Sequence, residues 1–102
     1  VRHHAKIDAN QPEIVKALRS VGCSVQSLAT VGKGCPDLLV GYRSVNLLME
    51  VKDGSLAPAR RRLTPLEDSW HALWKGRCYV VENVEQALAV VKTGLESLEN
   101  LR

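Results

Sequence analysis

Two carboxylates and a lysine lie inside strongly apolar runs of this chain. Asp37 stands in Cys35-Pro36-Asp37-Leu38-Leu39-Val40, and Glu50 and Lys52 stand in Leu47-Leu48-Met49-Glu50-Val51-Lys52. Acids and lysines seldom enter such runs unless they are paired or bind a metal. Two acids able to hold a divalent cation, with an ammonium beside them, can hydrolyse a phosphodiester. The plainer alternative is a structural salt bridge in which Lys52 neutralises a buried acid. One lysine cannot neutralise two acids, and this weakens that alternative.

Whether the acids meet depends on the elements that carry them. Leu38-Leu39-Val40 and Val45 to Val51 read as buried strands separated by Tyr42-Arg43-Ser44. If Arg43 and Ser44 form the loop of a hairpin, opposed residue numbers sum to 87 and Asp37 faces Glu50. Opposed residues share a sheet face with Cβ atoms about 4.5–5.5 Å apart. One Mg²⁺ at about 2.1 Å from each oxygen bridges that gap. A one-residue slip would send Asp37 to the other face. Arg-Ser supplies neither Gly nor Asn for a two-residue turn, so a four-residue loop in the same register is equally open. Alternation puts Lys52 on the face of Glu50, and the Val51 carbonyl in the same neighbourhood is a candidate third metal ligand.

The rest of the chain is expected to supply a scaffold. At 102 residues it makes one compact domain, with Leu and Val filling the core because Phe is absent. The net charge of +3 permits a nucleic-acid partner without requiring one. Cys23, Cys35 and Cys78 are odd in number and widely spaced. They argue against a zinc site or a disulfide framework and suit a reducing cytoplasm. No run is long enough to span a membrane, and no signal-peptide pattern opens the chain. Residues 1–9 read as a flexible arm, 10–93 as the domain and 94–102 as a tail.

The spacing predicts a helix capped by Asn10 with Pro12 in its first turn, ending at Gly22, in which Glu13 by itself reads as an acid at the positive end of the dipole. A strand follows within Ser24 to Val31, then the loop Gly32-Lys33-Gly34. After Lys52, Arg60-Arg61-Arg62 stands just beyond the acids and is read either as a phosphate grip or as a solvated basic loop. Thr64-Pro65-Leu66-Glu67 is a capping-box pattern opening a helix whose stripe of Leu66, Trp70, Leu73 and Trp74 is expected to face the core. His71 is read as a surface residue. A strand at Arg77–Glu82 and a helix from Val84, stopped by Gly94, complete the order α-β-β-β-α-β-α: a central mixed sheet flanked by helices, in the α/β class.

These residues resemble the PD-(D/E)XK nuclease superfamily, which has the restriction-endonuclease-like fold. More narrowly, Gly34-Cys35-Pro36-Asp37-Leu38, Glu50-Val51-Lys52-Asp53-Gly54 and Leu63-Thr64-Pro65 followed by Trp70-His71 resemble VRR-NUC domains of the short stand-alone type found in phages and bacteria. The resemblance implies metal binding at Glu13, Asp37, Glu50 and Val51, with Asp37, Glu50 and Lys52 as the catalytic set. It implies Mg²⁺, with Mn²⁺ as a substitute, and homodimers acting on branched DNA such as Holliday junctions. Lys33, Arg60, Arg61 and Arg62 would hold flanking phosphates. One departure concerns Glu67, where the family usually carries Gln. An ionised Glu only accepts hydrogen bonds, whereas Gln also donates.

Overall fold

The structure is a computed structural model that describes the backbone of residues 7–100 and side chains as far as residue 94. The expected arm therefore lies mostly outside the described residues, with His3 and His4. So do the side chains of the tail. The order is α1 (Gln11–Ser20), β1 (Ser24–Ser27), β2 (Leu38–Tyr42), β3 (Val45–Val51), a 3₁₀ turn (Pro58–Arg60), α2 (Pro65–Leu73), β4 (Cys78–Val81) and α3 (Val84–Asn100). One four-stranded sheet runs β1-β2-β3-β4, antiparallel up to β3 and parallel between β3 and β4. The parallel pair needs a crossover, which contains α2.

The hairpin has the expected register. Tyr42 pairs with Val45 and Leu38 with Met49, so Asp37 enters β2 opposite Glu50. Its loop is the two-residue form, with Arg43 at φ 47° and Ser44 at φ 67°. Left-handed backbone is uncommon for such residues. The Arg43 guanidinium lies 5.3 Å from the centre of the Tyr42 ring, a cation–π contact that offsets part of the strain.

The two sheet faces differ. Leu38, Val40, Leu47, Met49, Val51 and Val81 point to one side and pack on Ile14 and Leu18 of α1 and Ala87 and Val91 of α3. This is the core. Asp37, Glu50 and Lys52 belong to the other face, as strand alternation requires. α1 ends as the sequence indicates: Gly22 at φ 99° lets its N–H reach Arg19 O while the Cys23 N–H reaches Leu18 O, a Schellman closure.

β1 occupies Ser24–Ser27, within the expected stretch. Two expectations are overturned. α3 does not stop at Gly94 but runs to Asn100. A Cβ at Gly94 would stand 3.3 Å from both Leu47 Cδ2 and Arg77 Nη1, and the Gly94 carbonyl accepts from that Arg77 nitrogen. The glycine therefore serves close packing. The second concerns α2, which contains no buried residue. Leu66 and Leu73 are exposed, and Trp74 is half exposed and stacked on Trp70 with ring centres 4.6 Å apart. The apolar stripe is not core-facing, because α2 turns Glu67 and His71, rather than its leucines, toward the acid-bearing face of the sheet.

α2 is seated instead by close backbone contact. Gly34 has φ 84°, and a Cβ there would run into the Leu66 carbonyl and stand 2.6 Å from its carbon. Gly34→Ala should therefore destabilise the chain by about 1–3 kcal/mol, through left-handed strain plus displacement of α2. Gly32→Ala, at φ 72° but with nothing within 4 Å, should cost less. Thermal melts of the two variants make the comparison, and equal losses would contradict it.

Candidate active site

Pro36 is buried and brings the chain into β2 with Asp37 on the open face. The Val51 N–H donates to Asp37 Oδ2 at 2.7 Å, which fixes the carboxylate against the end of β3. Glu50 is 2 % exposed, and its Oε1 has no hydrogen-bond partner. Burial, then the hydrogen bond and charge of Asp37, push its carboxyl up to about 9 despite Lys52 nearby. Lys52 Nζ lies 3.8 Å from Glu50 Oε2 and 2.6 Å from Glu67 Oε1. Asp37, Glu50 and Lys52 thus form the single cluster that the register required.

Glu67 has two tasks. Its N–H donates to Thr64 Oγ1 at 3.2 Å, and its Oε1 accepts from the Thr64 N–H at 2.8 Å, closing the expected capping box. The same Oε1 holds Lys52, so the cap of α2 is tied directly to the lysine. Burial would lower the lysine's pKa, but the hydrogen bond and charge of Glu67, with Glu50 and Asp8, leave it raised. Lys52 is therefore held as an ammonium.

These groups floor a cleft of about 720 Å³, also lined by Asp8, Gly32, Gly34, Arg60 and Arg62. Lys33 is exposed on the loop whose glycines line the cleft, at φ 58°. Arg61 departs from the expected basic trio. Its Nη1 makes a bidentate contact of 2.9 Å to both Glu82 oxygens, and its Nε donates to Leu56 O at 3.0 Å. It ties the loop to the end of β4, which leaves Arg60 and Arg62 at the cleft wall.

Glu13 is exposed on α1 and does not line the cleft. The helix buries Gln11, Ile14 and Leu18, and Glu13, one residue before Ile14, is turned away from that face. The acid that this end of the chain supplies is Asp8, which lies in the cleft wall and acts on Lys52. Asn10 explains why the segment comes here. It occupies the cap position without capping, and its Nδ2 donates at 3.0 Å to both Lys52 O and Glu82 O, tying the segment before α1 to the ends of β3 and β4. An amide two residues after an acid, just ahead of a helix, was the available signal. Val51 is buried and is not part of the cleft wall, and the group it contributes to the site is its N–H.

His71 is half-buried, not a surface residue. Its Nε2 is 3.9 Å from Glu50 Oε1, and its Nδ1 is 3.4 Å from Cys78 Sγ. Burial holds the imidazole below its usual pKa, against the opposing charges of Glu67 and Asp68. Burial and Glu50 push the Cys78 thiol up to about 11. The pair is a neutral backing for Glu50. Cys23, Cys35 and Cys78 are free thiols.

Among the described residues, no three His, Cys, Asp or Glu side chains form a ready cation cage. The fit of a divalent cation rests on two carboxylates. Glu50 is buried with an unpartnered oxygen, and beside Asp37 its charged form is disfavoured. A cation removes that penalty, so these donors suit Mg²⁺ or Mn²⁺.

No family model matches the sequence, and no curated protein matches it. A solved structure described as a VRR_NUC domain matches the fold. It has a TM-score of 0.60 and 24 % identity, and the match covers 83 % of this chain and 97 % of the other. The likeness is one of fold, and the expected mixed sheet with flanking helices in the order α-β-β-β-α-β-α is the arrangement that matches.

Proposed function

We propose, with the VRR_NUC fold as the premise, that this chain is a Mg²⁺-dependent endonuclease hydrolysing phosphodiester bonds in branched DNA, Holliday junctions above all, as a homodimer. The observation that carries the reading is the buried Glu50 next to half-buried Asp37, with Lys52 beside them in an open cleft. Asp37 and Glu50 would hold the cation. When bound, it supplies a water of lowered pKa and neutralises charge developing on the phosphate. The chain's own groups do the rest. Lys52, kept charged by Glu67, positions the attacking water and stabilises the negative charge of the transition state. Arg60, Arg62 and Lys33 hold flanking phosphates, and Asp8 adds a further acid to the cleft wall. Among the described residues, no helix is long and apolar enough to cross a membrane. A two-fold dimer suits paired cuts across a four-way junction.

A second reading is a DNA-binding module that retains the fold without cutting. The observation in its favour is the 2.6 Å bond from Lys52 to Glu67, which occupies the lysine. Incubation with a four-way junction, a flap and a linear duplex, each with Mg²⁺, Mn²⁺ or a chelator, separates the readings. Metal-dependent nicking of the junction supports the first. Binding to the junction without nicking in either metal supports the second, and preferential cutting of the flap would move the substrate class.

A further inference from the structure

A second groove, of about 500 Å³, lies between α1 and β1, outside the cleft. Ile7, Pro12 and Val15 give it an apolar surface, and Lys16 and Arg19, three residues apart on one side of α1, give it two cations. Arg19 spends one donor on the Val25 carbonyl of β1 at 3.1 Å. A guanidinium has five N–H donors, so it retains others. Gln11 also lines the groove. It is 6 % exposed, and its Oε1 has no hydrogen-bond partner. Ile7 lines both this groove and the catalytic cleft, so the two are neighbours that share one wall.

Each feature narrows the occupant. The cations select an anion, and adjacency to the cleft makes the DNA strand leaving the acids the nearest one. An apolar surface offers nothing to a bare phosphate but accepts the face of a base. In a duplex the base faces are stacked on one another. An unpaired nucleotide meets all of these conditions.

We propose that the α1–β1 groove binds an unpaired nucleotide of the strand that continues from the cleft. Lys16 and Arg19 hold its phosphate, and its base lies against Ile7, Pro12 and Val15. This rests on the DNA-nuclease reading and deepens it, since the preferred branched substrate would carry a single-stranded segment beside the scissile phosphate.

The test is fluorescence anisotropy in chelator, comparing a blunt duplex with the same duplex bearing a short single-stranded arm. Wild type should prefer the armed duplex by about tenfold. Lys16→Glu, at an exposed position and with an unchanged far-UV spectrum and melting temperature, should lose that preference, and Lys16→Arg should keep it. Lys16→Ala should lower the salt dependence of binding to the armed duplex by about one unit of slope. Lys75→Glu, a charge reversal that is not in either groove, should change none of this. Wild-type binding without preference, or preference that survives Lys16→Glu, overturns the groove assignment and leaves the nuclease reading intact. Failure of the wild type to bind either DNA overturns both.

Discussion

Asp37→Asn abolishes metal-dependent cleavage of branched DNA, by about 10³-fold or more, while the chain stays folded. The two halves of this expectation have separate causes. Asp37 holds its place by accepting the Val51 N–H at 2.7 Å, and an amide oxygen can accept the same bond. The end of β3 is therefore kept. What is lost is one of the two negative charges that fit a cation here, and Asn is a far poorer ligand for a hard divalent ion. Lys52→Ala should lower cleavage to the same degree but is less benign for the fold. It leaves Glu67 without its 2.6 Å partner and removes the cation nearest Glu50. Its melting temperature should fall where that of Asp37→Asn does not. Junction cleavage with Mg²⁺ and a thermal melt of each variant decide the matter, and full cleavage by either removes the catalytic assignment.

The hairpin was legible from its period, although Arg43-Ser44 lacks the usual turn residues. Two apolar runs with one polar break admit few registers, and a slip would have exposed the whole core face of β2 and β3. α2 was misread for the opposite reason. Its stripe of Leu66, Trp70, Leu73 and Trp74 has the helical period of a buried face, yet the helix is seated by Gly34 and by the Glu67–Lys52 bond. Periodicity reports which residues share a side of a helix and does not say whether that side meets the core. The capping box was visible, but its second task, holding Lys52, was not, because that contact joins positions fifteen residues apart through tertiary placement. Asp8 was hidden in what read as an arm, since the side chain of Asn10 draws that segment to the sheet. Arg61 looked equivalent to its neighbours until Glu82 came within 2.9 Å.

Glu50→Gln should remove cleavage and at the same time make the metal-free chain more stable in mild alkali. Glu50 titrates near an ordinary 4.5 when unfolded and near 9 when folded, because burial and Asp37 disfavour its charge. Below 4.5 both states hold the proton, and the group is neutral in its effect. Above 4.5 the unfolded chain releases the proton and the folded chain keeps it, so stability falls with rising pH until about 9. The slope for one such proton is ~1.4 kcal/mol per pH unit, and coupling to Asp37 and Lys52 makes this an upper figure. His71 acts in the other direction. Its folded pKa lies below its usual 6.5, so it costs stability as pH falls through that region. The window in which Glu50 dominates is therefore about pH 7 to 8, because the raised Cys78 thiol adds a loss of the same sign as pH nears the ordinary thiol value of 9. Wild type should lose melting temperature across it without metal. Glu50→Gln, which has no proton to release, should lose markedly less. Mg²⁺ should release the Glu50 proton on binding and so stabilise wild type most at the alkaline end, with little effect on the variant. Parallel wild-type and Glu50→Gln curves over that window would mean that Glu50 is already ionised in the folded chain, and would remove the main physical reason for placing a cation beside it.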